Sequence, residues 1–188
     1  MESKVKLAGH AVHPMLIVFP LGLLITAVVF DVIFLVTDAA RWTEVAYYMI
    51  GAGLIGGVAA AVPGWMDWVA IPGGTRAKRV GLLHGIGNTV LLALFAVSWV
   101  LRRPNPSLPP TEAIVAGVVA IVLGTATAWL GGELVYRLGV GVDVGAHLDA
   151  PSSLSEQPAT VRARPGDRRS YPQPTYAGVD RRLAGARH

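Results

Sequence analysis

Four blocks of mostly apolar residues, at about 14–36, 45–69, 80–101 and 113–136, run through the chain with only short polar connections between them. Roughly 20 such residues in a helix cross the ~30 Å hydrocarbon layer of a bilayer. In lipid, only helices and closed barrels satisfy every backbone N–H and C=O group. Barrel strands alternate apolar and polar residues, and these blocks do not. The expected fold class is therefore all-α integral membrane: an antiparallel four-helix transmembrane bundle in a lipid bilayer. Short connections make sequence neighbours antiparallel neighbours.

Composition agrees with this reading. The 188 residues are 53% hydrophobic and 15% charged, whereas a soluble domain is about 25% charged. The apolar blocks stop near Val142, so a membrane domain at 14–142 is expected between a short segment, 1–13, and a tail, 143–188. That tail is rich in Pro, Ser, Gly and Arg. It has too little apolar surface to offset its ordering entropy, so a disordered basic tail is predicted. The tail, with seven Arg against five Asp and Glu, carries half of the net charge of +4, and this modest excess does not indicate a nucleic-acid partner. Cysteine is absent, which excludes disulfides, thiolate metal sites, c-type haem attachment and Cys-ligated iron–sulfur clusters within the chain. The first block exceeds the apolar core of a signal peptide, about 7–15 residues, and lacks a small-residue cleavage site. It is expected to remain as span one.

Basic residues set the expected orientation. Lys4, Lys6, Arg76, Lys78, Arg79 and Arg137 flank the spans on one side, and Arg41, Arg102 and Arg103 on the other. The larger set marks the cytoplasmic side, with both termini inside. Asp31 falls about 27 Å along the helix from His13 at 1.5 Å per residue. That is near the outer interface, where a carboxylate is tolerated, and no special role is expected of it.

Small residues recur along the spans and predict close helix packing. Span four carries Ala116, Ala120, Gly124, Ala128 and Gly132; span two carries Ala52, Gly56 and Ala60 beside Gly53 and Gly57. The run Gly51-Ala-Gly53-Leu-Ile-Gly56 matches a dinucleotide-binding pattern, which works only at a strand-to-helix turn. Inside a continuous apolar span it is a packing motif.

An antiparallel bundle brings distant polar residues to one height. His10 and His13 stand at the entrance of span one, Asp67 near the exit of span two, His84 and Asn88 one and two turns into span three, and Glu133 near the exit of span four. Ionisable groups within membrane segments are costly and commonly mark function. Neutral imidazole ligates haem iron and divalent metals. His13 and His84 could hold haem b axially, with Gly81 and Gly85 clearing space for its ring and with His10, Asp67, Asn88 and Glu133 as a supporting layer. Alternatively, His13, His84, Asp67 and Glu133 would form an N/O metal site. Simpler roles stand beside these. His13 caps its helix, Asp67 is solvated in an interfacial belt, Glu133 pairs with Arg137, and His84 with Asn88 makes an interhelical hydrogen-bond pair.

Four segments, Gly9-His-Ala-Val-His-Pro-Met-Leu, Gly64-Trp-Met-Asp-Trp, Gly81-Leu-Leu-His-Gly with Asn88, and Gly131-Gly-Glu-Leu-Val-Tyr, together resemble the bacterial membrane family known as domain of unknown function 2231, over about residues 9–142. The resemblance implies a multi-pass protein of the bacterial inner membrane. Some relatives are joined to Rieske-type or cytochrome-like domains, which implies an electron-transfer setting and a redox or membrane-complex partner. This chain, lacking cysteine, would need a bound haem or metal, or a separate partner, for any redox role. The competing expectation is a non-catalytic docking or structural module. A small transporter fits less well, because midspan charge and paired broken helices are missing.

Overall fold

The computed structural model describes residues 1–155 and 157–161. Residues 1–144 form one compact unit and a second begins at Gly145. The described part of the second unit contains turns and bends without helix or strand. The disorder expected of the tail concerns, from 162 onward, residues outside those described.

Span one consists of α1 (Val12–Leu16) and α2 (Val18–Thr37), divided only at Ile17, whose backbone stays right-handed helical. The Ile17 N–H still donates to the His13 carbonyl and the Leu21 N–H to that of Ile17. Pro20, lacking an N–H, removes one rung without breaking the rod. Asp38 then ends α2 in the left-handed region, at φ 53°. The remaining spans are α3 (Arg41–Ala70), α4 (Arg76–Arg102) and α5 (Thr111–Gly132), which continues as a π-helical turn, Glu133–Arg137. All four are long and apolar enough to cross a membrane, as the blocks predict. Helices α3, α4 and α5 begin ahead of their apolar blocks, at Arg41, Arg76 and Thr111, because polar residues form their first turns. At α4, for example, the Thr75 hydroxyl accepts the Lys78 N–H at 3.1 Å and caps the helix.

Around the bundle, α2 adjoins α3, α3 adjoins α4, α4 adjoins α5, and α5 returns to α2. Spans one and three therefore lie across a diagonal. The core between them holds Leu24, Ala27, Ala46, Ile50, Phe95 and Ala120. Lipid supplies no hydrophobic drive between helices, so close packing of small residues matters. A Cβ on Gly53 would stand 2.6 Å from Leu24 and one on Gly57 2.5 Å from Leu92. Residues Gly51 to Gly56 lie inside α3, as expected for a packing motif.

The stripe predicted on span four is only partly correct. The buried face of α5 runs through Ala113, Gly117, Ala120 and Thr127, whereas Ala128 is exposed. A strict spacing of four drifts about 40° per step on a 3.6-residue helix, so the stripe leaves the interface. Gly124 remains in contact, since its Cβ would lie 3.0 Å from the Leu91 side chain. Gly124→Leu should therefore destabilise the detergent-solubilised protein by about 1–3 kcal/mol through overpacking, with Ala128→Leu close to neutral. Equal unfolding midpoints for the two variants would remove Gly124 from the interface.

Ahead of α1 the chain forms a small hairpin that the apolar pattern does not signal. β1 (Lys6–Leu7) pairs antiparallel with β2 (His10–Ala11). Ala8 and Gly9 turn between them at φ 50° and 81°, the two positive values of a type I′ turn. Lys6 reaches both Asp143, at 2.6 Å, and Glu2, at 2.9 Å. The Asp143 hydrogen bond, and then that of Glu2, hold the Lys6 pKa above its ordinary value.

Candidate functional site: polar pairs across the bundle diagonal

His13 enters from α1 and His84 from α4, and their rings meet with centroids 6.4 Å apart and planes at 87°. Each ring is held in the same way. His13 Nδ1 donates to the Ala60 carbonyl of α3 at 2.7 Å, and His84 Nδ1 to the Thr127 carbonyl of α5 at 2.8 Å. A carbonyl only accepts, so in the neutral rings Nδ1 carries the hydrogen and Nε2 the lone pair.

A glycine four residues past each carbonyl makes room for the ring. A Cβ on Gly64 would sit 2.8 Å from His13 Nδ1, and one on Gly131 3.0 Å from His84 Cε1. Pro63, within α3, deprives that helix of a rung at the same turn, beside the carbonyl His13 engages.

Asn88 lies one turn beyond His84. Its Nδ2 donates to the His84 carbonyl at 2.9 Å and stands 3.2 Å from His84 Nε2. Its Oδ1 accepts from the Thr127 hydroxyl at 3.0 Å. The expected His84–Asn88 pair therefore lies within one helix, and Thr127 carries the link to the neighbouring span. His13 does not cap α1, whose N-cap is Ala11.

The other polar residues of this end are engaged elsewhere. Asp67 accepts from the Ser3 hydroxyl at 2.6 Å and the Lys4 N–H at 2.7 Å. It anchors the segment before the hairpin instead of standing in solvent. Glu133 pairs with Arg76 of α4 at 2.7 Å, not with Arg137. His10 lies exposed on β2, with Nδ1 3.3 Å from the Ala8 carbonyl. Among the described residues no group of three or more His, Asp or Glu side chains is placed to hold a metal ion.

The glycines expected to admit a porphyrin are also occupied. A Cβ on Gly81 would meet the Trp68 indole at 2.9 Å, and one on Gly85 the Trp65 indole at 3.0 Å. Trp68 is fixed further by Lys78. The indole donates to the Lys78 carbonyl at 3.0 Å, while Lys78 Nζ donates to the Trp68 carbonyl at 2.7 Å. The ammonium also lies 4.0 Å from the indole centroid. These contacts join the end of α3 to the start of α4 and cap the last carbonyls of α3 with a cation.

Toward the opposite end of the diagonal Asp31 of α2 meets Arg102 of α4, contrary to expectation. Asp31 is not an ordinary interfacial carboxylate, and Arg102 is not merely a flanking charge. Arg102 Nη1 and Nη2 donate to the two Asp31 oxygens at 2.8 and 2.6 Å, with side-chain exposures of 0% and 1%. Arg102 Nε also donates to Ser98 at 3.3 Å, whose hydroxyl donates to the Ala113 carbonyl at 2.6 Å.

Spacing places these pairs on common faces. Eighteen residues separate His13 from Asp31 and eighteen separate His84 from Arg102. That interval is five whole turns at 3.6 residues per turn. One face of span one and one face of span three thus meet twice, through an imidazole pair at one end and an ion pair near the other. The matching interval was the available signal in the sequence.

A four-span helical membrane protein, with an imidazole pair and a buried ion pair between spans one and three, is the class these features define. The family model described as a predicted membrane protein (DUF2231) matches residues 9–144, and the chain belongs to that family. No curated protein and no solved structure matches the chain.

Proposed function

We propose that this chain is a redox-associated protein of the bacterial inner membrane, with both termini cytoplasmic, and that His13 and His84 ligate one metal centre. The observation that carries this reading is the paired imidazoles, each tied through Nδ1 to a backbone carbonyl. Ligating histidines commonly donate their second nitrogen in this way, which fixes the tautomer and orientation of the ring. Two nitrogens about 2.0–2.1 Å from one ion, with ring centres ~1.1 Å further out, put the centroids roughly 6.3 Å apart when the ion lies between them. The separation in the structure is 6.4 Å.

Both a bare metal ion and a bis-imidazole haem fit that spacing. The indoles against Gly81 and Gly85 favour the bare ion, because the flat ring has no clearance at those glycines. Asp67 and Glu133 would then support the surrounding fold instead of binding the ion. An electron-transfer partner follows from the setting implied for the family. The basic flanks of the spans support the orientation.

One observation favours the second reading, a structural or docking module. Asn88 and Glu133 each have a partner within the bundle, and Asp67 has one in the segment ahead of it. Metal content and visible absorption distinguish the two readings. Protein purified in mild detergent from haem- and metal-replete cells should carry about one equivalent of metal or haem, lost in His84→Ala. A colourless, metal-free protein would leave the structural module as the function.

A further inference from the structure

From the ligand set around the histidine pair, and resting on the reading just given, we infer that the site takes a monovalent d10 cation of the Cu(I) or Ag(I) class. The centre offers two neutral imidazoles and no carboxylate. Asp67 is taken by Ser3 and Lys4, and Glu133 by Arg76. No third His, Asp or Glu joins the pair among the described residues. Divalent zinc ordinarily takes four ligands, commonly with anionic ones among them. A d10 monovalent ion is satisfied by two ligands on opposite sides, and collinear coordination leaves the twist between the ring planes unrestricted, so the observed 87° presents no obstacle.

Charge points the same way. Transferring an ion from water into an apolar bundle costs free energy in proportion to its charge squared. Two neutral ligands leave a dication with both charges uncompensated and a monovalent ion with one. The Asn88 amide nitrogen lies beside the pair, 3.2 Å from His84 Nε2. It is also 3.4 Å from Nδ1, which places it over the ring and off the in-plane lone pair of Nε2, and its bond to the His84 carbonyl at 2.9 Å holds it there.

Silver(I) is the probe, because it needs no reductant. The full chain in mild detergent carries His10→Ala, His147→Ala and His188→Ala, so that His13 and His84 are the remaining histidines. Titration with silver nitrate should saturate at one equivalent and shift the imidazole Nε2 resonances of both histidines. Zinc(II) should bind at least ~100-fold more weakly. Replacing His13 or His84 by Gln keeps an amide donor for the carbonyl and should weaken Ag(I) by ~100-fold or more, beyond the effect of disturbing a supporting group, with helix content unchanged. Silver binding no tighter than zinc, or insensitive to both Gln variants, overturns the assignment. If zinc(II) or haem takes the pair instead, the ligand reading survives and the ion class is wrong. If nothing binds the pair, both fall.

Discussion

Arg102→Met should destabilise the bundle by about 3–5 kcal/mol, because it leaves a buried carboxylate without its partner. The pair is fully enclosed, and the bidentate contact supplies two charge-assisted bonds at 2.8 and 2.6 Å. Asp31→Leu should be similarly damaging, since it strands the guanidinium against Ser98. The double variant Asp31→Leu with Arg102→Met should recover most of the loss, because replacing both members of a buried pair with apolar residues is often neutral. Unfolding of the wild type, both single variants and the double variant in one detergent measures the coupling. Additive losses would show that the pair does not act as a unit. Arg103 is exposed and stacks 4.8 Å from the Trp99 ring centroid. Its replacement by Met should shift stability by no more than about 0.5 kcal/mol.

The second large effect is expected at Gly64. A valine there carries a Cβ into a position 2.8 Å from His13 Nδ1, so either the ring or α3 must move. The variant should lose about 1–3 kcal/mol by overpacking, together with the metal binding proposed for the histidine pair. Gly22→Val is the control, because nothing lies within 4 Å of its Cβ position. If Gly64→Val binds ligand like the wild type, the ring has room elsewhere, and the close glycine does not fix its position.

The spans were legible because lipid imposes a length and an apolar composition on each of them. The histidine layer was legible because antiparallel spans return to the same height. Partner choice was harder to read. Asp67 lies in an aromatic belt, and its ligands Ser3 and Lys4 come from a segment whose hairpin depends on a two-residue turn. Glu133 has Arg137 one turn away in sequence, yet α4 brings Arg76 closer once the helices pack. Gly81 and Gly85 advertised space, but which side chain fills it depends on how α3 and α4 meet. Asp31 was placed by depth alone. Depth measures distance along the helix and leaves out its rotation, and rotation turns this carboxylate away from the headgroups toward Arg102.

The ion pair also bears on the order of events during biogenesis. Its partners are 71 positions apart, so span one emerges from the ribosome well before Arg102 is synthesised. The first hairpin is therefore made before Arg102 can reach Asp31, and the carboxylate lacks this partner until the second hairpin packs. Arrival of the second hairpin supplies the countercharge, giving the late-made half of the chain a specific address on the half already inserted.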